Sequence, residues 1–322
     1  MNILAIGATG FIGPHVARLL VEDGHRVAIL HRGTTKADLP TDIHHIHGDR
    51  DALVDSRPEV VRFRPAVVLD LIAYTEREAQ ALTNTFRGVA ERIVVLSSAD
   101  VYRNYDGFRR KATAPPDPVP LFEEAPLREA LYPYRGYGLP FQWADDYEKL
   151  LVERLVMRDA ELPGTVLRLP AVYGPGDKQH RIGEYLERMK DEPRLLMTRE
   201  QAAWRWTRGY VENIAAAIVL AVIDDRAAGR IYNVGEELAL GEREWVEEIG
   251  KTTHWNGEVF EASLEDLPEQ HRQPFDYSYE LMTGTTRIRD ELGYSEPVPR
   301  DEALRRTIEW ELTRQHGSDR RG

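Results

Sequence analysis

Residues 2–13 read Asn2-Ile3-Leu4-Ala5-Ile6-Gly7-Ala8-Thr9-Gly10-Phe11-Ile12-Gly13, a short apolar run that ends in three evenly spaced glycines. The run has the length and composition of a buried strand, and an amphipathic helical pattern over 12–23 follows directly. A second strand pattern begins at Arg26. In that strand–turn–helix setting Gly7 permits a tight turn, Gly10 lets the backbone approach a pyrophosphate, and Gly13 lets helix and strand pack closely. The helix N-terminus adds amide donors for the anion.

The same alternation continues outward. Apolar runs at 26–30, 43–47, 66–71, 92–96 and 165–169 predict strands; amphipathic stretches at 53–63, 76–89 and 141–160 predict helices. Near-continuous apolar strands alternating with helices imply a parallel sheet covered on both faces. A helix over 211–223 and a strand over 230–234 suggest a return to that sheet. The expected division is a first domain of 1–175 plus about 205–235, and a smaller interleaved one of about 176–204 plus 236–322. The proline-rich stretch 112–120 reads as a loop and 314–322 as a frayed tail.

Composition narrows the chemistry. The chain has 322 residues, 42 basic against 54 acidic side chains, a net charge of −12 and no cysteine. Disulfides, thiolate metal sites and a cysteine nucleophile are therefore excluded. The charge argues against a broad nucleic-acid surface. The apolar start lacks a basic leader, and the longest apolar helical candidate, 214–223, is about half the roughly 20 residues needed to span a bilayer. The expectation is a soluble, cytoplasmic protein. His44-His45-Ile46-His47 invites a metal reading, but strand alternation puts only His45 and His47 on one face, so no metal is expected. Ser97-Ser98 lacks the G-x-S-x-G elbow of hydrolases. Arg103, Arg109, Arg110 and Lys111 read as a solvated basic cluster.

The glycine spacing, G-x-x-G-x-x-G, resembles that of the extended short-chain dehydrogenase/reductases, the NAD-dependent epimerase/dehydratase type. Further resemblances run along almost the whole chain: His47–Asp51 after the third strand, Asp70-Leu71-Ile72-Ala73-Tyr74, Ser97-Ser98-Ala99-Asp100-Val101-Tyr102, Arg168–Gly176, Tyr232-Asn233-Val234-Gly235 and Thr286–Tyr294. The resemblance implies a Rossmann-type doubly wound sheet with a smaller C-terminal substrate domain, a nicotinamide cofactor and a homodimer built on the helices at 76–89 and 141–160. It implies cofactor contacts at Gly7, Thr9, Gly10, Phe11, Ile12, Gly13, Asp49, Arg50, Leu71, Ile72, Ala73, Lys149, Pro170 and Val172, and a substrate site including Ser98, Asp100 and Tyr102.

NAD-selective members place a carboxylate at the end of the second strand. Here that place holds His31-Arg32-Gly33-Thr34-Thr35-Lys36. A guanidinium suits a phosphate. The expectation is NADP(H), with Arg32 as main 2′-phosphate ligand and Thr34, Thr35 or Lys36 assisting; NAD(H) with Arg32 stacked on adenine is the alternative.

The family's chemistry uses a Ser/Thr hydroxyl, a tyrosine and a lysine four residues after it. Ser98 and Lys149 fit, but four residues before Lys149 stands Asp145. On a continuous helix Tyr147 would point about 200° away from Lys149. The proton carrier is therefore open among Asp145, Tyr147 and the loop tyrosines Tyr132, Tyr134 and Tyr137; Asp145 could equally be an i,i+4 ion-pair partner of Lys149. The family's substrate-phosphate arginine has candidates in Arg205 and Arg208, while Trp204 and Trp206 either form a stacking wall for substrate or pack the domain junction. Two readings result: an oxidoreductase of epimerase/dehydratase type acting by hydride transfer on a sugar-nucleotide-like or small keto/hydroxy substrate, or a catalytically impaired NADP(H)-binding regulatory or RNA-binding protein.

Overall fold

The computed structural model describes residues 1–319. Strands β1 (Asn2–Ile6), β2 (Arg26–His31), β3 (His44–His47), β4 (Val67–Asp70), β5 (Arg92–Ser98) and β6 (Gly164–Leu169) lie in one parallel sheet. After β7 (Ala171–Tyr173), β8 (Arg194–Met197) and β9 (Arg208–Tyr210), β10 (Ile231–Asn233) joins its edge, giving the order β10-β6-β5-β4-β1-β2-β3. β7 pairs with β9, and β8 with β11 (Glu258–Glu261), in two small outlying sheets.

Alternation along the strands builds two cores. Ile3, Ala5, Val27, Ile29 and Leu69 face the helices that run over Gly13–Glu22 (α1) and Val211–Ile223. Leu4, Ile6, Ala28, Leu30 and Val68 face α2 (Arg57–Phe63), α3 (Glu76–Phe86) and, beyond α4 (Arg103–Phe108), α5 (Lys149–Arg158). Strands β1, β2, β4, β5 and β6 are thus buried on both sides, which is why their runs carry no polar alternation, whereas the edge strand β3 exposes His44, His45 and His47. The strands all run parallel, but their order of succession reverses between β1 and β4, so the loops leaving their carboxyl ends border the crevice where such sheets take ligands. No helix among the described residues is long and apolar enough to cross a membrane.

Three expected elements differ. The helix predicted over 53–63 is a 3-10 segment, Arg50–Ser56, followed by α2, whose start is marked by Pro58. The helix predicted over 141–160 begins only at Lys149: Ala144–Asp146 form one 3-10 turn and Tyr147 is extended (φ −60°, ψ 120°). Tertiary bonds hold that break. Tyr147 pairs with Thr75 in an antiparallel bridge, Glu148 N donates to Tyr74 O at 2.9 Å, and the Glu148 carboxylate caps α5 at Leu150 N and pairs with buried Arg128 at 3.0 Å. Finally, the tail expected from 314 continues as the helix Arg300–Asp319; residues 320–322 lie outside the described residues.

Candidate active site

The first glycine turn is built as its residue types require. Gly7 has φ +80°, and a Cβ there would stand 2.7 Å from Ile72. A Cβ on Gly13 would fall 2.4 Å from the Ala8 backbone, so only glycine allows α1 to approach β1 this closely. Ile12 caps α1 without a side-chain bond, leaving the first amides to an anion. A cleft of about 300 Å³ opens beside this turn. Gly7, Thr9, Arg32, Thr34, Thr35, Asp49, Arg50 and Ile72 line it, joined by Tyr74, Glu78, Gln142 and Trp143, which sequence reasoning did not assign. Trp143 stacks on Tyr74 with ring centres 4.5 Å apart; an aromatic within a helical pattern gives no hint of such a wall.

Polar groups aim into this cleft. Arg50 is buried and paired with Asp70 at 2.7 Å, yet its Nε and Nη1 have no hydrogen-bond partner. Arg32 is exposed, with no carboxylate paired to it among the described residues. Unmet donors beside a glycine cradle fit a phosphate-bearing dinucleotide. Asp49 spends one carboxylate oxygen on Asp51 N, 3.0 Å away. Gly10, Phe11 and Gly13 belong to the same turn, and Phe11 faces Gly176. Lys36, Leu71, Pro170 and Val172 do not line the cleft. Val172 is buried, its carbonyl taken by Arg181 at 2.9 Å. His45 and His47 both meet His31, with ring centres 5.0 and 5.1 Å away, while His44 stacks on Phe63.

Further along the sheet the reacting groups converge. Ser98 ends β5 and accepts from Asp100 N at 3.2 Å. Because the chain is extended at Tyr147, its phenol turns inward: the hydroxyl donates to Asp100 Oδ2 at 2.7 Å, beside Ser98. Lys149 is buried beneath it. Its Nζ donates to Ala73 O (2.6 Å) and Leu96 O (2.8 Å) and sits 4.7 and 5.8 Å from the ring centres of Tyr74 and Tyr147. Burial lowers the Lys149 pKa to about 8, although Asp100 and Asp70 oppose the shift. Burial, reinforced by Asp100, raises Tyr147 well above the ordinary phenol value.

The geometry corrects several expectations. Asp145 does not face Lys149: it is exposed, outside α5, and its Oδ1 accepts from Gly136 N at 2.9 Å. Tyr102 is buried, its hydroxyl donating to Asn233 (2.6 Å) and accepting from Arg168 (3.0 Å). Arg205 forms a two-point pair with Glu280 (2.6 and 2.9 Å), and buried Arg208 pairs with Glu242 at 2.5 Å. Trp204 packs on Phe108 at 4.7 Å within a cluster that includes Trp206, Tyr277 and Tyr279, so both tryptophans pack a junction. The basic cluster is not simply solvated. Arg103 pairs with Asp117, Arg110 and Lys111 donate to carbonyls, and Arg109 lies on tyrosine rings.

Comparisons agree with this architecture. The chain is 26% identical over 258 residues to 2′-dehydrokanamycin reductase of Streptomyces kanamyceticus, a match spanning 77% of this chain and 66% of that protein. It is 24% identical to UDP-N-acetyl-alpha-D-glucosaminuronate decarboxylase of Bacillus cytotoxicus, over 95% of this chain and 96% of that one. Among solved structures, an epimerase from Methanothermobacter thermautotrophicus superposes with a TM-score of 0.71 at 20% identity, covering 100% of this chain and 94% of the other. The model of the NAD dependent epimerase/dehydratase family matches residues 3–235, and the chain, an enzyme with a nicotinamide cofactor, belongs to that family.

Proposed function

We propose that the protein is an NADP(H)-dependent carbonyl reductase in which Tyr147 donates the proton to the substrate oxygen. Residues 1–175 and about 205–235 hold the cofactor, and about 176–204 and 236–322 shape the substrate side. Gly7, Thr9, Gly10 and Asp49 would hold the dinucleotide, with Arg32, Thr34 and Thr35 on the 2′-phosphate. The bound cofactor supplies the hydride. The carrying observation is the Tyr147 hydroxyl, hydrogen-bonded to Asp100, beside Ser98 and flanked by Lys149. A phenol whose pKa is raised by burial keeps its proton at neutral pH, so it acts as an acid. Reduction needs that polarity: hydride adds to the carbonyl carbon while the oxygen, polarised by Ser98, takes the Tyr147 proton. Lys149 keeps a positive charge below this site and stabilises the developing oxyanion.

The carboxylates on Arg205 and Arg208 neutralise the expected diphosphate ligands, which favours a small keto substrate over a nucleotide sugar. We expect a cytoplasmic homodimer built on α3 and α5, which pack together on one face of the sheet. The test is NADPH oxidation against a panel of ketones, keto sugars and nucleotide sugars. Turnover that Ser98→Ala abolishes supports the reading. Tight NADPH binding without turnover on any of them supports instead a cofactor-binding regulator.

A further inference from the structure

Asp100 joins more than the active site. Its Oδ2 accepts from Tyr147 on one side and from the Tyr134 hydroxyl, at 3.2 Å, on the other. The Tyr134 hydroxyl is 2.8 Å from that of Tyr105, which Arg109 Nη1 reaches at 3.5 Å. These groups come from three separate segments: the turn after β5, α4 with its C-cap, and the loop before α5. Tyr147 and Asp100 are buried, whereas Tyr134, Tyr105 and Arg109 are half-buried, so the line of hydroxyls runs from the site to the rim. The Arg109 guanidinium covers that outer end, 5.2 Å from the Tyr134 ring centre and 5.7 Å from that of Tyr105.

A proton donor used once per turnover must be refilled. We propose that Tyr134 and Tyr105 conduct solvent protons to Tyr147 through the Asp100 carboxyl; this rests on the reading of Tyr147 as the donor. As Tyr147 passes its proton to the substrate oxygen, its hydrogen bond to Asp100 reverses: the neutral carboxyl presents its proton on Oδ2, and the Tyr147 oxygen takes it across the same 2.7 Å contact. Asp100 then takes one from Tyr134, Tyr134 from Tyr105, and Tyr105 from water. Only O–H bonds form and break along the line, one solvent proton enters per alcohol formed, and no oxidation state changes.

Asp100 suits the relay. Burial raises its pKa, against the opposing Arg128 and Lys149 charges and the hydrogen bonds of Tyr147 and Tyr134. Its Oδ1 is buried without a hydrogen-bond partner, which costs a neutral carboxyl much less than a carboxylate. The line also assigns a role to Tyr134, one of the loop tyrosines that sequence alone left open.

Infrared spectroscopy of the full-length protein tests this without any substrate. The protonated carboxyl band, identified by its loss in Asp100→Asn, is followed after mixing into deuterium oxide. We expect the hydrogen-to-deuterium shift to slow about tenfold or more in both Tyr134→Phe and Tyr105→Phe, and to stay within about twofold in Tyr137→Phe, whose ring lies outside the line. Melting temperature and NADPH affinity verify that each variant is folded; if one is not, the other decides. No band lost in Asp100→Asn, or equal exchange rates throughout, overturns the proposal. Because exchange is read at rest, its failure is distinct from a failure of Tyr147 to act in turnover.

Discussion

Replacing Arg32 with alanine separates the two dinucleotides. Arg32 is exposed on the loop after β2, lines the cleft with Thr34 and Thr35, and is not drawn off by a carboxylate among the described residues. The loop does not depend on it: Gly33 N donates to His31 Nδ1 at 3.2 Å, and Gly48 N to His31 O at 3.1 Å. The substitution should therefore remove the ligand and leave its frame. A hydrogen bond to a charged group contributes about 1.5–3 kcal/mol, and solvent screening at an exposed site favours the lower end. With about 1.4 kcal/mol per tenfold, the NADPH dissociation constant should rise about 10- to 100-fold, while that of NADH, which carries a hydroxyl there, changes less than about threefold. Titration calorimetry with both cofactors, at low and moderate salt, reads this directly. An unchanged NADPH constant, or equal losses for both cofactors, refutes the assignment of Arg32 to the 2′-phosphate.

The remaining predictions concern buried charge. Lys149 has a folded-state pKa lowered from 10.5 to about 8, so between those values the unfolded chain binds more protons and stability rises with pH. Relative to Lys149→Met, the wild type should gain on the order of 3 kcal/mol from pH 8 to 10.5 in urea melts; a flat difference contradicts the burial argument. Arg168 grips Glu153 at two points (3.0 and 2.8 Å) in the core. Arg168→Met should cost about 3–5 kcal/mol, and pairing it with Glu153→Leu should restore much of that. A single variant as stable as wild type in urea would show the pair to be dispensable.

The fold was legible because its signals are local. The glycine turn, the two-sided burial of β1 and the helix at 211–223 each follow from neighbouring residues. The site was only half legible. Residues 141–160 carry a helical pattern, and nothing nearby reveals that Thr75 and Tyr74, some 70 positions earlier, pull Tyr147 and Glu148 out of the helix. That one break reverses the inference from spacing, since Tyr147 reaches the site from outside α5 while Asp145 does not. A weak signal existed: Asp145-Asp146 resembles a first turn, with the true start just beyond. Likewise Arg205 and Arg208 look available until Glu280 and Glu242, distant in sequence, are placed beside them. Propensity and periodicity record what a segment can do alone; long-range hydrogen bonds decided these positions.

The central claim is that Tyr147, two residues before Lys149, carries the proton, and single-turnover hydride transfer from NADPH in Tyr147→Phe and Asp145→Asn tests it side by side. Tyr147→Phe should lose about 100-fold or more, with NADPH affinity retained, while Asp145→Asn keeps a rate within about twofold of wild type. A rate preserved in Tyr147→Phe, or lost in Asp145→Asn, would contradict it.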